Sequence, residues 1–273
     1  MPISINTNTL AFSAANNLNK TSKSLARSFQ RLSSGLRINS AADDAGGLGI
    51  ATNMTAQIRG LNQAISNAND GISMAQVAEG ALNETDDALQ RIRELAVQSA
   101  NGSLSTTDRQ NLQVEVSALI SEIQRIATST EYNGSTLMST EGTSVTFFVG
   151  ANQSQTISLT IKGARTTDLG ISLVSIGTSA SWASSAITLV DTALYSVSEI
   201  RATLGAVQNR LDMVTSVLAT TAQNLTEARS NIMDANVAAE TTNLTRSAII
   251  QQAGVAVLAQ ANQQPSVVLS LLG

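Results

Sequence analysis

Between residues 186 and 225 positions that are apolar in all but one case recur at steps of four and three: Leu189, Ala193, Val197, Ile200, Leu204, Val207, Leu211, Val214, Leu218, Thr221 and Leu225. A period of 3.5 held over about five heptads predicts a helix whose seam coils against another helix. Its central positions, Ile200 to Leu218, are the candidate seam. Two stretches nearer the N-terminus carry matching seams. One is Met54, Ile58, Leu61, Ile65, Ala68, Ile72 and Ala75; the other is Leu112, Val116, Leu119, Ile123 and Ile126. Long helices from the two ends of the chain are therefore expected to lie side by side. The expected fold class is mainly α, a long coiled-coil helical rod formed by N- and C-terminal segments, with a small β-hairpin region in the middle.

The remaining pattern fills in the other elements. Residues 4–38 read as an amphipathic helix with Ala14, Leu18, Leu25, Phe29, Leu32 and Leu36 on one side and Lys20, Lys23, Arg27 and Arg31 on the other. Gly46, Gly47 and Gly49 read as a joint between helical segments; a phosphate-binding loop would need a lysine and a preceding strand that are missing there. Residues 48–100 predict a helix roughly 75–80 Å long, closed by Asn101-Gly102. Thr107 and Gln110 are spaced as a capping box for a further helix to about Ser129, folded back antiparallel on the preceding one. Asn133-Gly134 marks a turn. Val145, Phe147, Val149 and then Ile157, Leu159, Ile161 alternate with polar residues around Gly150-Ala151-Asn152, a β-hairpin over about 143–162. Residues 163–185, rich in Gly, Ser and Thr, read as a solvated loop, with Ser179, Ser181, Ser184 and Ser185 around Trp182 as candidate modification sites. Beyond the seam, 226–262 is expected to continue as helix. There Ile250, Ala253, Gly254, Val257, Leu258 and Ala261 form a face too wide for one partner helix.

Composition narrows the chemistry. The 273 residues contain no histidine and no cysteine. That removes Ser-His-Asp and Cys-His catalysis, imidazole or thiolate metal sites, and disulfides. No metal or cofactor is expected. Carboxylate chemistry stays open at Glu84, Asp86, Asp87 and Glu94, but these fall on a helix surface with no sign of an apolar pocket. Aromatic residues are 3% of the chain, so the core must be built from Leu, Ile, Val and Ala. The first thirty residues lack the apolar run of a secretory signal, so any export is expected to leave the start uncleaved. Ser247 to Gly273 has no charged residue, yet Gln251, Gln252, Gln260, Asn262, Gln263 and Gln264 argue against a membrane span. Charge is uneven: residues 1–42 hold five basic side chains and no acid, while the chain as a whole carries −4. Complementary regions of this kind favour ordered stacking of copies.

Several longer motifs resemble bacterial flagellin. Ile5-Asn6-Thr7-Asn8 is similar to the family's opening, as is the stretch from Leu32-Ser33-Ser34-Gly35-Leu36-Arg37 through Asp43-Asp44-Ala45-Gly46-Gly47-Leu48. Gln90 to Gln98 resembles its receptor-recognised segment, and Gln260-Ala261-Asn262-Gln263 with Leu269-Ser270-Leu271-Leu272 its ending. The resemblance covers about residues 1–139 and 186–273. It implies a structural subunit, not an enzyme, that polymerises helically into the extracellular filament of the flagellum for swimming motility. Residues 1–42 and 236–273 would be paired inner-tube helices. Residues 43–235 would be an outer-tube rod with the hairpin, and there would be no variable outer domain. The apolar positions Leu18, Leu25, Leu32, Ile250, Ala253, Val257 and Leu258 would be the assembly face of the terminal helices. Implied partners are many copies of the chain, an export chaperone, the filament cap, hook-junction proteins and, in a host, a flagellin-sensing Toll-like receptor. The positions that match the receptor contact are Gln90, Arg91, Leu95, Gln98 and Glu115.

Two other classes compete with assembly. A hook-filament junction protein shares the helical ends but matches the Leu32–Leu48 and Gln260–Leu272 motifs less well. A coiled-coil adaptor or nucleic-acid-binding helix pair is opposed by the acidic stretch 43–240. Neither nucleic acid nor membrane is expected as a partner.

Overall fold

The computed structural model describes residues 7–139 and 142–272, with side chains through residue 263. Five helices and two small hairpins follow in the order α1 (Thr9–Ser34), α2 (Ala45–Ser99), α3 (Thr106–Ser129), β1 (Glu131–Tyr132), β2 (Ser135–Thr136), β3 (Thr143–Phe148), β4 (Thr156–Ile161), α4 (Ala180–Met233) and α5 (Val237–Leu272). The chain divides into two compact units, residues 1–56 with 224–273, and residues 57–223.

In the 57–223 unit, α2 and α4 run antiparallel. Three side-chain pairs fix the register: Gln208 Nε2 donates to Glu79 at 3.0 Å, Arg201 lies 3.7 Å from Asp86, and Arg93 Nε donates to Asp191 at 2.6 Å. The expected seam closes between them, with Ile200, Leu204, Leu211 and Leu218 buried and Val207 and Val214 partly so. The opposing Leu61, Ala68 and Ala75 are buried as well. At its N-terminal end Val190, not the exposed Leu189, continues the four-and-three alternation. At its C-terminal end the seam departs from a strict heptad, with Thr221 exposed where Ala222 is buried. A helix of 3.6 residues per turn drifts against a 3.5 repeat, so the buried stripe shifts by one position.

Helix α3 folds back on α2. Arg109 Nε donates to the Ser99 carbonyl at 2.9 Å, and Val116, Ile123 and Ala127 enter the core. Its capping box is Ser105 with Asp108 rather than Thr107 with Gln110. An acid at the third helical position serves the box as well as glutamine does, and it also suits the positive end of the helix. The hydroxyls of Thr55, Thr85, Thr192 and Thr203 in these helices are satisfied by donating to the carbonyl four residues back.

Both turns of the central region follow from its residues. Asn133 and Gly134 take positive φ of 50° and 76° between β1 and β2, as a two-residue hairpin requires. Strands β3 and β4 pair antiparallel from Thr143↔Ile161 to Phe148↔Thr156. One face of that hairpin is apolar: Val149 and Ile157 join Ala68 and Leu211 in a small core, with Phe147 packed against it. The connection 163–179 is not the solvated loop its composition predicts. Ala164, Leu169, Ile171, Val174 and Ile176 are all buried in the main core. Its backbone is satisfied by side chains, with Ile176 N donating to Gln113 at 2.6 Å and Thr166 N to Gln124 at 3.2 Å. Residues 180–185 belong to α4, and Trp182, Ser181, Ser184 and Ser185 are exposed on its first turns.

In the other unit α1 and α5 run antiparallel: Asn8 Nδ2 donates to the Ala261 carbonyl at 2.7 Å, and Arg31 lies 3.9 Å from Glu240. The expected continuous helix across 226–262 instead breaks at Asp234–Asn236. There Arg37 N donates to Met233 O at 2.6 Å and Ala235 N to Gly35 O at 2.9 Å, around a Leu36↔Asp234 bridge. Gly35 ends α1 with φ 71°, the left-handed conformation favoured after a helix. The joint after α1 is thus residues 35–44, not the glycines at 46, 47 and 49, which form the first turns of α2. Asp44 caps that helix by accepting from Gly47 N at 2.8 Å.

Candidate functional site: assembly and recognition surfaces

Helix α1 buries one residue, Ser28, and on α5 the buried side chains among the described residues are Glu240, Ser247 and Ala261. Leu18, Leu25, Leu32 and Leu258 are half-buried; Leu18 lies against Gly254, where an added Cβ would stand 3.4 Å from it. The rest of the expected assembly face points outward. Ile250 and Val257 are 49% and 56% exposed, and Ala253 is exposed. Phe12, Phe29, Ile249 and Val255 also face solvent. The broad apolar face read from sequence therefore splits in two. Gly254 and Ala261 meet α1, while Ile250, Ala253 and Val257 leave much of their surface exposed. An exposed apolar stripe on paired helices is a contact surface for something else.

The second surface lies on α2 and α3. Arg91 is clamped between Glu94 and Glu115, each at 2.9 Å, and these hydrogen bonds raise its guanidinium pKa above the ordinary value, Glu94 first and Glu115 next. Gln90 donates to Asp86 at 2.9 Å, and Gln90 and Gln98 are exposed. Gln90, Arg91, Gln98 and Glu115 thus share accessible surface. Leu95 does not: at 1% exposure it is part of the core. Arg91, Leu95 and Gln98 are spaced by four and three, as on one surface stripe, but Leu95 lies beside the buried stripe Leu89, Ile92, Ala96 and Ser99, which has the same kind of spacing. Leu95 thus supports the polar face from beneath.

The acids singled out for possible catalysis are engaged or solvated. Asp86 is held by Arg201 and Gln90, Glu94 by Arg91, and Glu84 and Asp87 are exposed. Among the described residues no cluster of acids could hold a metal ion, and no helix is long and apolar enough to cross a membrane.

Some structural residues carry no obvious sequence signal. On α2, a Cβ at Gly71 would lie 3.1 Å from Leu211 and 3.2 Å from Phe147, and one at Gly60 would lie 3.2 Å from Ala151. These two glycines let the hairpin approach the helix. A glycine inside a strong helical pattern is a hint of close approach, but it does not name the partner.

Paired long helices with outward apolar faces have the form of a subunit that packs against others. The chain belongs to the bacterial flagellin family: residues 5–143 match the bacterial flagellin N-terminal helical region, and residues 187–272 match its C-terminal helical region. Flagellin FlaB1 of Treponema pallidum is 42% identical, covering 98% of this chain and 99% of that one. Flagellin of Bacillus subtilis is 41% identical with the same coverage. A putative flagellar hook-associated protein from Vibrio parahaemolyticus has a TM-score of 0.59 at 13% identity, over 70% of this chain and 100% of its own. At that identity it bears on the fold alone, so nothing favours the hook-junction alternative. The protein is a subunit of the flagellar filament, in a family whose role is structural.

Proposed function

We propose that the subunits stack so that α1 and α5 form an inner layer of the filament and residues 57–223 an outer one. Support comes from the contrast in burial. Helix α4 buries ten side chains within one copy, while α1 buries Ser28 alone and leaves Phe12 and Phe29 at 71% and 68% exposure. The terminal pair lacks a core of its own, and neighbouring copies supply it. Seeded elongation tests this with Ile250→Asp combined with Val257→Asp. The variant should fail to extend seeds while its 57–223 unit melts as in the wild type. Normal filaments from the variant would remove this face from the contact.

Export of the unfolded chain with its start intact, aided by a chaperone on the C-terminal helix and a cap at the growing tip, is the accompanying proposal. Mass spectrometry of extracellular protein should find the first residues present, apart from loss of Met1. A product that starts tens of residues later would contradict it.

In a host, Gln90, Arg91, Gln98 and Glu115 form the proposed contact with the flagellin-sensing Toll-like receptor, with Leu95 holding the face from within. An arginine clamped by two carboxylates is a preorganised donor, the composition of an interface hot spot. Arg91→Ala should weaken receptor activation by monomer about thirtyfold. Equal potency of variant and wild type would exclude the site while leaving the filament role intact.

A further inference from the structure

The cleft between α1 and α5 holds positive charge that the chain does not balance. Lys20, Arg27 and Arg31 line it from α1 and Arg246 from α5, with Glu240 and Ile250 also on its wall, in a volume of about 480 Å³. Glu240 is the acid in this lining, and its 3.9 Å approach to Arg31 is at the limit of an ion pair. Arg31 Nε is buried and donates to nothing. No ion pair engages Lys20, Arg27 or Arg246 among the described residues. A guanidinium presents its donors as a planar fork, and the group that satisfies the fork is an anion with two oxygens, a carboxylate or a phosphate. Lys20, Arg27 and Arg246 are exposed around Arg31, so the cleft is open to such an acceptor.

What borders the cleft selects the source. Arg246, Ile249 and Ile250 also line an adjoining groove with Thr242, and Ile249 and Ile250 are 61% and 49% exposed. A free anion leaves that apolar surface wet. A protein surface covers it. The chain as a whole carries −4, so a second copy presents a surplus of carboxylates. We propose that this cleft receives an Asp or Glu carboxylate from a second copy of the chain, seated across Arg31 with Lys20, Arg27 and Arg246 around it. The proposal rests on the filament role and adds the chemistry of one contact within it.

The lysine content makes the test direct. The sequence has three lysines, Lys20, Lys23 and Lys162, and Lys162 Nζ lies 2.8 Å from Glu199 Oε1 of its own chain. Filaments assembled from a mixture of unlabelled and 15N-labelled chains are treated with a zero-length carbodiimide and mapped by mass spectrometry. Lys162–Glu199 should link within one chain in monomer and filament alike. Lys20 should link to an Asp or Glu peptide of the other isotope, in filaments only. In parallel, Arg246→Gln removes a solvent-exposed cation from the cleft wall. It should raise the critical concentration for elongation about tenfold and flatten its dependence on salt. Well-formed filaments that give the Lys162 control without an intermolecular Lys20 link, and in which Arg246→Gln assembles like the wild type, would overturn this contact alone. Saturable binding of inorganic phosphate to the monomer, with no such link in filaments, would assign the cleft to a free anion and overturn the second-copy occupant. If wild-type protein formed no filaments under the microscope, the filament role would fail and this contact with it.

Discussion

Gly71 and Gly80 sit on the same helix and should respond to alanine in opposite directions. At Gly80 nothing lies within 4 Å of an added Cβ, so Gly80→Ala should stabilise by about 1 kcal/mol through helix propensity. At Gly71 the new methyl would press on Leu211 and the Phe147 ring. Overpacking of that kind costs about 1–3 kcal/mol, and the net result should be a loss of about 1 kcal/mol. Urea denaturation of the two variants decides the signs. Leu211, fully buried, is the position where charge is least tolerated. Leu211→Asp should cost at least about 4 kcal/mol and abolish assembly, and a midpoint near wild type would place the seam elsewhere. Acid should act through other residues. The Ser40 hydroxyl and then the Asn39 and Ser40 amides hold the Asp43 carboxyl below its usual range. The Ser105 hydroxyl does the same for Asp108, Arg125 for Glu122 and Arg165 for Asp168. A carboxylate whose folded pKa is depressed contributes stability above its unfolded value, near pH 4, and loses it as pH falls through the folded value. Denaturation midpoints should therefore fall as pH drops below about 4, and Asp168→Asn, within the 57–223 unit, should show a shallower drop.

At the scale of elements, the long seams were legible because a 3.5-residue period held over many turns arises from little besides helices coiled on one another. The β3–β4 hairpin was equally plain from alternation, whereas Asn133-Gly134 announced a turn but not the two-residue strands β1 and β2 that flank it. Three features were hidden for physical reasons. The break at Asp234–Asn236 involves neither glycine nor proline, and backbone pairing with residues 35–37, distant in sequence, stabilises it. The connection 163–179 looked solvated because its Ser, Thr and Gly outnumber its apolar residues. Its Leu169, Ile171, Val174 and Ile176 nevertheless cover the α2–α3 hairpin, anchored by Gln113 and Gln124. Gln113→Ala should thus leave Ile176 N unpaired and destabilise by about 1–3 kcal/mol, measurable by the same denaturation. Leu95 was misplaced on the surface because a period of four and three describes the inner stripe of α2 as well as the outer one.

For the whole molecule, the two compact units differ in what holds them. Residues 57–223 carry a continuous apolar core drawn from α2, α3, α4, the hairpins and the 163–179 connection. Residues 1–56 with 224–273 carry seven basic and five acidic side chains, and the helices that pair there, α1 and α5, have polar or small residues at their buried positions. Isolated helix pairs with so little buried apolar surface are marginal in water, so their stability should be a property of the filament. Hydrogen exchange followed by mass spectrometry, on dilute monomer and on filaments of the same protein, tests this most directly. The α2–α4 amides of residues 57–223 should be protected in both states, while those of residues 9–34 and 237–263 should exchange within seconds in the monomer and become protected in the filament. Strong protection of both terminal helices in the dilute monomer, or rapid exchange there in intact filaments, would contradict the account.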